Sequence, residues 1–160
     1  MPDTDGLIVC GETLVDVLSA GDGLWRSVPG GGPYNTAITA AKLGTRTALL
    51  TQVSRDAFGR QCVETLARAG VDESLVMHQD VPTTLAVADI DERGVAQYQF
   101  YWRGTANDVV PQSFPEPVRP PAAIWAGSIA SVLWPARDAL RAWIAEHYPD
   151  TPLTFDVNVR

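Results

Sequence analysis

Three consecutive glycines, Gly30-Gly31-Gly32, run into Pro33-Tyr34-Asn35-Thr36-Ala37 and then into small residues that end at Leu43-Gly44. No other stretch restricts the fold of this chain as tightly. Glycine reaches backbone angles closed to other residues and lets a ligand lie directly on the main chain. Pro33 suits the first turn of a helix, where its missing N–H costs nothing. Gly44 suits the helix stop. The stretch therefore reads as a glycine-rich turn feeding a short helix, with Asn35 at or near its start. Free backbone N–H groups beside a side chain that both donates and accepts suit a polyhydroxylated ligand or an anion. Taken alone, the string also serves as an ordinary strand-to-helix loop.

Its surroundings fix the fold class. Leu7-Ile8-Val9-Cys10, Thr47 to Val53, Ala122 to Ala126 and Leu153 to Asp156 are short apolar runs of the kind buried on both faces of a sheet. Leu75 to His78 adds a brief strand. Helices are expected over about 58–69, with Val63, Leu66 and Ala67 on one face and Gly70 as the stop, and from near Pro135. In the latter, Leu140, Trp143, Ile144 and His147 recur at helical spacing. Strands alternating with helices call for a parallel sheet covered on both faces. Two segments break that alternation. Residues 17–28 hold a Gly21-Asp22-Gly23 turn, and 84–90 and 95–102 flank Asp91-Glu92-Arg93-Gly94 as a hairpin. They predict a separate small sheet, a β lid on a three-layer α/β body. In the second hairpin strand Tyr98, Phe100 and Trp102 face one way, and Gln97, Gln99, Tyr101 and Arg103 the other. The five prolines between Pro111 and Pro121 mark an irregular connector.

The net charge is −7 over 160 residues, with Lys and Arg scattered. That argues against nucleic acid or an anionic membrane as partner. Cys10 and Cys62 both fall in apolar patterns and read as reduced, buried thiols, which fits a cytoplasmic protein. His78 and His147 lack neighbours at metal-ligand spacing, so no metal site is expected among these residues.

The string from Gly30 to Gly44 resembles the first signature of the ribokinase-like carbohydrate kinases, the phosphofructokinase B family, GG-x-x-x-N-x-A-x-x-x-A-x-L-G. The resemblance spans nearly the whole chain. It implies a ribokinase-like fold incomplete at the C-terminus, with residues 1–160 forming the N-terminal half of one sugar-kinase domain. Lid strands are then expected over about 17–28 and 84–103. It also implies a sugar site made by Asp16, just past the first strand, with Gly30, Gly31 and Asn35. The segment Phe100 to Ala106 resembles the lid of bacterial fructokinases and 2-keto-3-deoxygluconate kinases, where aromatic and basic side chains close over the sugar. Tyr101 and Arg103 join the site on that ground. Asp156-Val157-Asn158-Val159-Arg160 resembles the D-x-N-x-R element of the same subgroups. That adds Arg160 to the sugar contacts and places Asp156 and Asn158 near phosphate and nucleotide. Ser54 to Gly59 resembles the family's turn into its second helix, with Asp56 as a helix cap first. Gln52 stands where a glycine is often found.

The family's second motif, G-A-G-D, is absent, and so is any G-x-x-x-x-G-K-[ST] loop. No catalytic base is therefore expected in this chain. The resemblance implies ATP-dependent phosphorylation of a small sugar hydroxyl, fructose first, with this chain supplying the sugar-binding half and lid and inactive alone. ATP and Mg2+, with a monovalent cation as an option, would bind mostly outside it. A homodimer through the β lid is the implied assembly. The alternatives are a 2-keto-3-deoxygluconate kinase, or a non-catalytic sugar-binding or scaffold half.

Overall fold

A computed structural model of the chain describes residues 6–90, 96–133 and 136–157. The expected turn at 91–94, the helix start at Pro135, and Asn158 and Arg160 lie outside those residues. The body is a five-stranded parallel sheet in the order β5-β4-β1-β8-β9, built from β1 (Leu7–Cys10), β4 (Thr47–Ser54), β5 (Val76–Gln79), β8 (Ala123–Gly127) and β9 (Leu153–Asp156). Alternation within the strands divides the core. Val9 and Leu49 pack on one face against Tyr34 and Ala37 of α1 (Gly32–Lys42) and Cys62 and Leu66 of α2 (Ala57–Ala69). Ile8, Cys10 and Leu50 pack on the other face against Leu140 and Trp143 of α3 (Ala136–His147). The result is the three-layer α/β arrangement expected for strands apolar on both sides.

The second sheet runs β3-β2-β6-β7, from β2 (Leu14–Ser19), β3 (Trp25–Gly30), β6 (Leu85–Ile90) and β7 (Ala96–Tyr101). Its β2–β3 hairpin turns through Asp22 and two glycines with positive φ, and β2 pairs parallel with β6. This hairpin is longer than the 17–28 estimate, so Asp16 lies inside β2 and not on a loop past β1. The α2 core face also differs from the sequence pattern. Gly59, Cys62 and Leu66 are buried, whereas Ala67 is exposed. The tight approach of Gly59 to β4 sets that rotation, because a Cβ there would run into the Ser54 carbonyl. Gly70 caps the helix in the left-handed region at φ 78°.

Body and lid meet at a buried polar junction. The Asn107 amide donates to the Thr13 carbonyl at 2.7 Å and to Thr84 Oγ1 at 2.8 Å. Thr84 shares a 2.6 Å hydrogen bond with Thr105, and Thr51 donates to Thr13 Oγ1 at 2.9 Å. Three of the four chain crossings between the sheets, β1 to β2, β5 to β6 and β7 to β8, are thereby tied together. The Gln52 amide donates to the Val109 carbonyl at 2.8 Å, so the residue standing in place of a glycine braces this same junction.

Candidate functional site

A cleft of about 410 Å3 opens between the carboxyl ends of β1 and β8, the glycine turn and the inner face of the lid. Asp16, Gly31 and Asn35 line it together with Glu12, Gly32, Tyr98, Phe100, Ser128 and Ile129. A second hollow of about 410 Å3 lies at the opposite end of the strands, beside Leu7, Arg46, Thr47 and Asp72. Open parallel sheets bind ligands at their carboxyl ends, and the glycine turn is there too. The first cleft is therefore the candidate site.

Each wall follows from local sequence. Gly31, at φ 113°, immediately precedes α1, which starts with Pro33 in its first turn and has no side-chain cap. No side chain thus caps the first-turn N–H groups, which face the cleft end of the helix. A Cβ on Gly31 would lie 2.7 Å from the Glu12 carbonyl, so only glycine lets the turn settle onto the end of β1. Gly30 is constrained less tightly, because a Cβ there would meet the Asp16 carboxylate, a side-chain end that can move. That contact locates Asp16, which leans from β2 across to Gly30 of its partner strand. Tyr98 and Phe100 stack with centroids 6.1 Å apart and form the lid side of the cleft.

Two carboxylates sit in this site in unlike surroundings. Glu12 is 1% exposed. Its Oε1 accepts from the Ser128 hydroxyl at 2.5 Å and its Oε2 from the Ala130 N–H at 3.0 Å. Burial pushes its carboxyl above the usual range, and these hydrogen bonds only partly offset that push. Asp16 is half-buried and reaches the cleft.

The remaining predicted residues fall elsewhere. Tyr101, 57% exposed, alternates to the face of β7 opposite Tyr98 and Phe100. Arg103 does not line the cleft. Its side chain is 84% exposed and contacts Asp108 at 3.4 Å. Asp156 ends β9 beside Gly127 of β8 and is exposed. Asp56 caps α2, as its position before the helix suggests, accepting from the Gly59 N–H at 2.8 Å. His147 contacts the Trp143 carbonyl at 3.0 Å and Glu116 at 3.4 Å. Among the described residues no cluster of three His, Cys, Asp or Glu is placed to hold a metal. None of their helices is long and apolar enough to cross a membrane. Sequence reasoning missed Glu12, Ser128, Tyr98 and Phe100. The alternation of β7 had already put the two aromatics on one face.

The profile of the pfkB family of carbohydrate kinases matches residues 8–136. The fructokinase of Rhizobium leguminosarum bv. trifolii is 29% identical over 159 residues, covering 96% of this chain and 48% of its own. A double mutant of the fructokinase of Vibrio cholerae O395, in fructose, ADP and potassium ion bound form, superposes with a TM-score of 0.78 at 27% identity. That match covers 100% of this chain and 52% of the other. The fructokinase of Xylella fastidiosa with bound ATP superposes at 0.80 over 96% of this chain and 49% of its own, at 20% identity. The chain thus spans about half the length of these relatives.

Proposed function

Because the chain belongs to the pfkB family of carbohydrate kinases, we propose that it forms the sugar-binding half and lid of an ATP-dependent fructokinase. The observation that carries the substrate is the charge of the cleft. Among the described residues, its ionisable lining side chains are Glu12, Asp16 and Tyr98, with no lysine or arginine. A neutral polyol offers hydroxyl donors to Asp16 and to the Asn35 carbonyl, and acceptors to the Asn35 amide and the first-turn N–H groups of α1. An acidic sugar would bring its carboxylate against Asp16, a pairing of like charges that costs free energy and that no described lining lysine or arginine offsets. Tyr98 and Phe100 give the less polar faces of a sugar ring a surface to rest on. The Vibrio cholerae relative in its fructose-bound form favours the same choice.

Asp16 orients the sugar, the glycine turn lets it approach the main chain, and the lid aromatics exclude water from its upper side. ATP supplies the phosphoryl group. The described residues offer Mg2+ no cluster of ligands, and we assign neither it nor a monovalent cation a site among them. Asp156, Asn158 and Arg160 keep the nucleotide-side and sugar-side roles that the D-x-N-x-R resemblance gives them. Gly30 acts by leaving space for Asp16. Tyr101 and the edge strands β3 and β7, where Trp25 is 51% exposed, suit the lid-to-lid contact of a homodimer. A cytoplasmic location accompanies this reading.

The test is an ATP-consumption assay on the 160-residue chain and on the protein expressed at its natural length. We expect sugar-dependent turnover on fructose in the latter, little on 2-keto-3-deoxygluconate, and none from the 160-residue chain. Arg103→Ala should leave the preference in place. An acid preference that Arg103→Ala destroys would refute the fructose assignment.

A further inference from the structure

We propose that Glu12 is a positioning residue for the sugar cleft, its buried carboxylate holding the Ser128–Ala130 turn as the wall opposite the lid. The proposal rests on the sugar-cleft reading. It starts from Ser128, which adopts φ 62° and ψ −159°, a region open in practice only to glycine. A serine stays there only if its surroundings hold it. Both oxygens of Glu12, 116 and 118 residues away in sequence, accept from this one turn: Oε1 from the Ser128 hydroxyl and Oε2 from the Ala130 N–H. Ser131 adds a 2.7 Å bond from its hydroxyl to the Gly127 carbonyl, so the turn is gripped from both ends.

The held turn is itself part of the cleft. Ser128 and Ile129 line it, and Ser128 presses on the start of α1. A Cβ added to Gly32 would sit 3.1 Å from Ser128 Oγ and 3.2 Å from its Cβ. Glu12 also carries the carbonyl on which Gly31 rests. One residue therefore sets the spacing between the glycine turn and the wall facing it. Glu12 accepts from both donors at once, whereas glutamine offers a single oxygen and meets the second partner only by reversing the Ser128 bond, donating its amide to the hydroxyl oxygen. Sugar selectivity depends on such spacing, since each hydroxyl must meet its partner within hydrogen-bond range.

Two variants separate positioning from mere stability. Glu12→Gln keeps the volume and removes one acceptor. Ser128→Gly removes the hydroxyl and relieves the backbone, so it should unfold in urea no earlier than the parent chain. In amide spectra of the 160-residue chain, the Ala130 proton should move upfield in Glu12→Gln, with Gly32 and Ile129 shifting alongside. In Ser128→Gly, Gly32 and Ile129 should shift although stability is kept. Fructose titrations should weaken by about tenfold in each variant, the loss of one bond of about 1.4 kcal/mol. Gly32 and Ile129 amides unmoved by both substitutions would overturn the proposal, as would fructose affinity unchanged in both variants. If Glu12→Gln fails to fold, Ser128→Gly decides by the same two readouts. A parent chain that takes up no fructose refutes the sugar reading instead, and the Gly32 and Ile129 shifts still decide the role of Glu12.

Discussion

Asp56 joins three parts of the molecule, and its removal gives a quantitative test of how they are held. Its Oδ1 accepts from the Gly59 N–H at 2.8 Å and from the Thr83 hydroxyl at 2.6 Å, and its Oδ2 from the Thr83 N–H at 2.9 Å. Its own N–H donates to Ser54 Oγ at the end of β4. It therefore caps α2, docks that helix on the body sheet and anchors the segment that enters the lid through β6. Asp56→Ala loses a cap worth about 1 kcal/mol. It also leaves two donors of Thr83, a residue only 6% exposed, without their acceptor. Each stranded donor costs about 1–3 kcal/mol, and the bonds share one carboxylate, so a net loss of about 3 kcal/mol is expected. Urea denaturation should show the midpoint fall with the slope unchanged. Asp56→Asn keeps one acceptor but turns an amide donor toward Thr83, and should lose about half as much.

The same site predicts an acid dependence. Burial alone would raise the Asp56 carboxyl, but the Thr83 hydroxyl, the Gly59 and Thr83 N–H groups and Ser54 together hold it below its usual value. A carboxylate depressed in the folded state stabilises fully above its unfolded pKa of about 3.9, and the benefit fades as pH falls through the folded value. The gap between parent and Asp56→Ala should therefore narrow below about pH 4. A gap under 0.5 kcal/mol at neutral pH, the scale of an ordinary surface substitution at roughly ±0.5 kcal/mol, would refute the reasoning. So would a gap that stays constant into acid.

Two further substitutions probe the cleft and its junction. Gly30→Ala puts a methyl into the Asp16 carboxylate, so calorimetry should show fructose affinity fall by about tenfold or more, through displacement of Asp16. Asn107→Ala strips the donors that join Thr13 to Thr84. Urea unfolding should register a loss of about 2–3 kcal/mol.

The body was legible because its strands are buried on both sides. Continuous apolar runs such as Leu7 to Cys10 are too short for helices and are bounded by glycine, proline or a helix stop, which leaves a strand buried on both faces. The lid was legible as a sheet but not in extent. Leu14 and Val15 follow Glu12-Thr13 without a turn signal, so nothing local says that a new strand has begun before Asp16. The face of β7 that meets the cleft was beyond local signal too. Alternation groups Tyr98 with Phe100 and sets Tyr101 apart, yet only the β6–β7 pairing over the body decides which group turns inward. Arg103 was chosen for its chemistry, and Asp108, five residues on, takes its contact.

Glu12 and Asp16 lie four residues apart with the same functional group, and sequence reasoning singled out only the second. What separates them is the company each keeps in space. Glu12 lies two residues past the buried strand β1, where a polar side chain persists only with partners supplied by the fold. Those donors come from Ser128 and Ala130, more than a hundred residues downstream. No spacing rule links them, and the one local hint is a carboxylate set immediately after Cys10-Gly11 at the carboxyl end of a core strand. Asp16 has climbed out of the body onto β2, where it is half-buried and open to the cleft. The glycines divide in the same way: Gly31 yields to the Glu12 main chain and Gly30 to the Asp16 side chain. The same signature thus touches two carboxylates, one buried and drawing both hydrogen bonds from a single distant turn, the other half-buried at the cleft.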